Sequence, residues 1–113
     1  MIGDPLRDAL VKALISSPRV RVFNMVGTSA LVPEYGSDWL GFYRSETFDF
    51  DIMCGVDGCK NFAEVGAHVM TLRENDYRSY ITRMCKSCNG RNGLMDMKFD
   101  AGLAVAREKW RRG

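Results

Sequence analysis

No stretch of this 113-residue chain approaches the apolar length that crosses a bilayer, and none repeats or falls to low complexity. A membrane-spanning chain, a repeat array and a disordered linker are therefore not expected. The apolar fraction, 46%, is that of an ordinary globular protein. The opening residues, Met1-Ile-Gly-Asp-Pro-Leu-Arg-Asp, lack the basic start and apolar run of a secretory signal, so a reducing, cytoplasmic setting is expected. Histidine occurs once, as His68, and cysteine four times. At this length one domain is expected, with a subdivision near Met53.

The four cysteines fall as two close pairs, Cys54-x4-Cys59 and Cys85-x2-Cys88. Each pair sets two sulfurs on one side of a tight turn, and zinc takes four soft ligands in a tetrahedron. Two disulfides, or four unconnected buried thiols, are the other readings. Disulfides suit small secreted domains, and the opening residues give no sign of secretion. One structural Zn2+ on Cys54, Cys59, Cys85 and Cys88 is therefore expected.

Charge is divided unevenly. Residues 1–72 hold six Lys/Arg against nine Asp/Glu, and residues 73–113 hold ten against five. Four zinc thiolates would bring the whole chain close to neutral while leaving its C-terminal third basic. That third is either a phosphate-facing surface or a solvated face ending in Arg107, Lys109, Arg111 and Arg112.

Local patterning indicates an α+β chain. Asp4-Pro5 suits a helix N-terminus, and Leu6, Ala9, Leu10, Ala13 and Leu14 recur at helical spacing before Ser16-Ser17-Pro18. Arg19 to Val26 begins with period-two alternation and reads as a strand. Pro33, Gly36 and Gly41 break the next stretch into loop and short strands, and its aromatics, Trp39 to Phe50, read as core or hairpin packing. Thr47 to Ile52 alternates and reads as a half-buried strand. Phe62–Val65 and His68–Leu72 read as two strands with Gly66 near the turn, and Tyr80–Arg83 as another. Asp100 caps an expected last helix with Leu103, Ala106 and Trp110 on one face.

Cys54-x4-Cys59, Gly66-Ala67-His68-Val69 and Tyr80-Ile81-x3-Cys85-x2-Cys88-Asn89 together resemble a zinc-containing HNH (His-Me finger) domain over roughly residues 53–95. The resemblance implies a small treble-clef zinc domain over residues 53–113, with a C-terminal helix. Residues 1–52 carry no such resemblance and are expected as an N-terminal helix and short strands packing on it. It implies that His68 is the general base against a phosphodiester, that Asn89 is the closing residue of the motif, and that a second divalent cation such as Mg2+ assists. The chain departs from the pattern at Ala67, where many members carry a metal ligand. It departs again near Ser79-Tyr80, where the middle asparagine would fall; Asn75 and Asp76 come too early. Asn89 and Asn92 are neutral amides.

Two functions follow as expectations. One is a nucleic-acid-directed HNH-like domain, a weak metal-dependent endonuclease in which Arg83, Lys86 and Arg91 hold phosphate. The other is a non-catalytic zinc-stabilised module that binds protein or nucleic acid, as a small phage-type accessory or inhibitor protein would. Under that second reading His68 is a structurally satisfied histidine; a zinc-ligand role is the remaining alternative for it.

Overall fold

The computed structural model describes residues 20–110, so the helix expected over Asp4–Leu14, and Arg111 and Arg112, lie outside the described residues. Within them the chain is α+β. Seven strands run in order: β1 (Arg21–Asn24), β2 (Leu31–Pro33), β3 (Val65–Thr71), β4 (Tyr80–Met84), β5 (Leu94–Asp96), β6 (Ala104–Val105) and β7 (Glu108–Trp110). Two helices are α1 (Trp39–Thr47) and α2 (Lys86–Asn89). An antiparallel five-stranded sheet has the order β5-β1-β3-β4-β6, and β2 pairs with β7 as a separate ribbon.

The β3–β4 hairpin is the centre of the molecule. Its register sets Val65 against Met84, Ala67 against Thr82 and His68 against Ile81. Side chains alternate across a strand, and here the two faces have different tenants. Ala67, Val69, Tyr80 and Met84 join Val22, Met95, Met97 and three of the cysteines in one buried cluster. Ile81 turns the other way, toward Phe42, Tyr43 and Ala104. With both faces covered, every residue of β4 is buried. That burial explains why its sequence, Tyr-Ile-Thr-Arg-Met, shows little alternation.

Helix α1 corrects the loop reading of this region. Asp38 is its N-cap, with extended backbone and a side chain that accepts from the Gly41 N–H at 2.6 Å. Trp39, Phe42 and Tyr43 then fall at i, i+3 and i+4, which puts them on one face, and Phe42 and Tyr43 are buried. Burying Phe42 contributes about 1.5–3 kcal/mol relative to exposure. The helix reaches the sheet at Gly66, where a Cβ would lie 2.4 Å from the Trp39 carbonyl carbon. Gly66 is therefore not near a turn, as the sequence reading had it. It sits inside one continuous strand, Val65–Thr71, as the point of closest approach to α1.

The alternation of Thr47–Ile52 is real but inverted, and no strand forms there. Phe48, Phe50 and Ile52 are exposed, while Asp49 and Asp51 reach inward to Arg83. That guanidinium is 1% exposed and stands 2.9 Å from Asp49, 3.3 Å from Asp51 and 3.4 Å from Asp100, and it donates to the Met53 carbonyl. Arg83 Nε is close to Asp49 Oδ2 without a well-directed hydrogen bond, so that pair is chiefly a charge contact. Tyr43 closes the network by donating to Asp49; burial, then that carboxylate, push its hydroxyl up to about 12.

The expected last helix is absent. Asp100 faces Arg83 instead of capping, the Gly102 carbonyl accepts from Thr82, and the Gly102 N–H donates to Tyr43. Ala104–Val105 then pairs with Tyr80–Ile81 and Glu108–Trp110 with Leu31–Pro33. The helical spacing of Leu103 and Ala106 lost to open backbone donors and acceptors on β4 and β2. Among the described residues no helix is long and apolar enough to cross a membrane.

Candidate metal centre and histidine cleft

The cysteine pairs meet as their spacing implied. Between Cys54 and Cys59 the chain turns tightly, with Gly58 at φ +79°, a backbone that favours glycine, and Cys59 N–H donating to Val56. Lys98 Nζ holds this turn by donating to the Cys54 and Cys59 carbonyls at 2.7 and 3.0 Å. The second pair opens α2. Cys85 is its N-cap, and its Sγ accepts from the Cys88 N–H at 3.3 Å and from Asn61 Nδ2 at 3.6 Å.

All four thiols are free, and their sulfurs lie within 4.8 Å of one another. A tetrahedral ion with Zn–S bonds of about 2.3 Å spaces its sulfurs about 3.8 Å apart; Cys59 and Cys85 are 3.9 Å apart. The donor set therefore fits a closed tetrahedral thiolate site. Without a metal the protons are shared unevenly. Burial alone would raise Cys85, but donors from Cys88 N–H, Asn61 and the neighbouring thiols outweigh it and bring it to about 7. Burial and the hydrogen bond with Cys85 push Cys88 up to about 12, and burial raises Cys54. A cation that turns all four into thiolates must displace those protons.

His68 lies on the opposite face of β3 from this cluster, so it is no fifth ligand. His68 is buried, its imidazole packs edge-to-face with Trp39 with centroids 4.5 Å apart, and its Nε2 lies 2.9 Å from Glu108 Oε2. The ring also lines a cleft of about 380 Å³, and Asn89, at the end of α2, lines the same cleft. A hairpin followed at once by a short helix thus brings together two side chains 21 positions apart in sequence. Asp38 and Glu64 also line the cleft, and among the described residues no Lys or Arg does.

The remaining candidates divide. Lys86 and Arg91 are exposed on either side of Asn89. Arg83 is a correction: buried against three carboxylates, it has no guanidinium edge to offer a phosphate. Ala67 faces the cysteine cluster, so a longer side chain there would point away from His68. A carboxylate or imidazole at that position would face the sulfurs and would not lie beside His68 to share a catalytic cation with it. Asn75 and Asp76 belong to the β3–β4 connection, where Asp76 accepts from Thr71, Arg78 and Tyr80.

Sequence reasoning missed Glu108 and Trp39. A lone Glu in a basic tail carries no signal by itself, and Trp39 read as generic packing. The Asp38-Trp39-x2-Phe42-Tyr43 pattern, a cap followed by helical spacing, was the available clue to α1. Compared with known proteins, the chain matches no family model, no curated protein and no solved structure.

Proposed function

We propose that this is a zinc-stabilised, HNH-like domain directed at nucleic acid, with a weak metal-dependent endonuclease activity centred on His68. The observation that carries the reading is the shared cleft of His68 and Asn89, set by a β-hairpin and short helix beside a four-cysteine cluster. Zinc on Cys54, Cys59, Cys85 and Cys88 is structural: it ties the turn before the hairpin to the helix after it, and part of its binding energy is folding energy. Lys86 and Arg91 contact the phosphate backbone.

In the reaction the His68 imidazole takes a proton from water. That oxygen adds to phosphorus while the bond to the leaving oxygen breaks, and the leaving oxygen takes its proton from solvent. A divalent cation, when bound, offsets charge on the phosphate oxygens. Asp38 and Glu64 line the cleft and, among the described residues, no Lys or Arg joins them, so such a cation would offset their repulsion of a phosphodiester. Asn89 is the residue that would hold it.

The other reading, a non-catalytic binding module, is favoured by one observation: His68 is buried and its Nε2 is occupied by Glu108. Cleavage of plasmid and single-stranded DNA and of RNA, with Mg2+, Mn2+ or Ni2+ added, decides between them. Activity lost in His68→Ala with zinc content unchanged supports the nuclease; no cleavage by the wild-type chain with any metal leaves the binding module.

A further inference from the structure

We infer that Glu108 is the positioning residue of His68: its carboxylate fixes the imidazole as the Nε2–H tautomer and leaves Nδ1 as the nitrogen that accepts the proton. The claim about the base rests on the nuclease reading above; the claim about the tautomer does not.

The chemistry is that of one hydrogen bond. An ionised carboxylate has no proton to donate. At 2.9 Å from Glu108 Oε2, Nε2 of a neutral imidazole must therefore carry the hydrogen, and the lone pair resides on Nδ1. The partner is rigidly supplied. Glu108 stands in β7 opposite Pro33, and the next residues on each strand are joined by the Glu34 N–H donating to the Arg107 carbonyl at 2.8 Å. The ribbon is tied to α1 because Trp39 Nε1 donates to the Leu31 carbonyl, and the same indole packs on the imidazole edge. Ring and carboxylate thus come from separate sheets that Trp39 holds in register. The Glu108 side chain is 28% exposed against 5% for His68, so the carboxylate reaches solvent while the ring is shielded.

Because His68 is the chain's only histidine, its ring nitrogens give the only imidazole signals in the protein. Long-range proton–nitrogen NMR on the zinc-loaded chain, recorded with the imidazole neutral, reads the tautomer directly. The expected wild-type pattern is Nε2–H with an unprotonated Nδ1. Glu108→Gln preserves shape but can turn either an oxygen or an NH2 to the ring, so the expected result is a mixed tautomer at unchanged zinc content. Its expected kinetic effect is a kcat lower by roughly tenfold or more with KM little changed, and Glu108→Asp recovers part of it. An Nδ1–H ring in the wild-type chain overturns the inference, whether or not the variants fold. A Gln variant with both tautomer and kcat unchanged overturns it as well. If the tautomer behaves as expected but His68→Ala leaves cleavage intact, it is the assignment of His68 as base that fails.

Discussion

Replacing Arg83 by Met tests the least expected feature of the fold, a buried guanidinium surrounded by carboxylates. Met keeps most of the side-chain volume, so the effect is electrostatic more than a cavity. Asp49, 16% exposed, loses the cation that balances it, and the Met53 carbonyl loses its donor. Asp51 and Asp100, at 39% and 55%, are solvated enough to be discounted. Stranding one carboxylate of a buried pair costs about 3–5 kcal/mol, and the unmet carbonyl adds to it, so the lower half of that range is a floor. The measurement is urea unfolding of zinc-saturated protein, comparing midpoints at constant slope. Arg83→Met combined with Asp49→Asn should recover much of the loss, since the second change removes the stranded charge. A loss below about 1 kcal/mol for Arg83→Met would refute the view that this network organises the helical face of the sheet, and would reopen a surface role for Arg83.

Elemental analysis of protein purified without added metal should give one zinc per chain; Cys54→Ser or Cys88→Ser should lower that content and the folded fraction together, and metal-free but fully folded protein would contradict it. Gly66→Ala puts a Cβ against the Trp39 backbone and should destabilise by about 1–3 kcal/mol, measured by thermal melting. Asp76 is held down to about 2, first by the Tyr80 hydroxyl and then by Arg78 and Thr71. Its folded-state value lies below its ordinary 3.8, so its contribution is fully present above that pH and is lost as pH falls toward 2. Asp76→Asn should flatten the acid-unfolding curve in that window.

The parts of this molecule legible in sequence are those that local chemistry decides. Two cysteine pairs in tight turns and a strand near Arg21 needed only spacing and alternation, and the Tyr80–Arg83 strand needed only its aromatic and β-branched residues. What was illegible depended on partners far along the chain. Asp49 and Asp51 make Thr47–Ile52 look like a strand with a buried apolar side, because nothing local announces that Arg83 lies beneath them. Leu103 and Ala106 keep helical spacing, yet the edges of β4 and β2 take that segment as strands. His68 and Asn89 were singled out by resemblance, and the cleft they share is a property of the hairpin and α2 acting together. Glu108 had no sequence signal, since its meaning comes from the ribbon that carries it to the imidazole.

Thiols and imidazole stand on opposite faces of β3, so the register of that strand decides which chemistry each side sees. Because faces exchange with every residue, a slip of β3 by one position against β4 would turn the imidazole toward the sulfurs and the Ala67 methyl toward Trp39. The cluster of thiols would then meet a ring, and the cleft would lose its one imidazole. The pairing of His68 with Ile81, more than the length of the loop that leads into the strand, is what keeps the two chemistries apart.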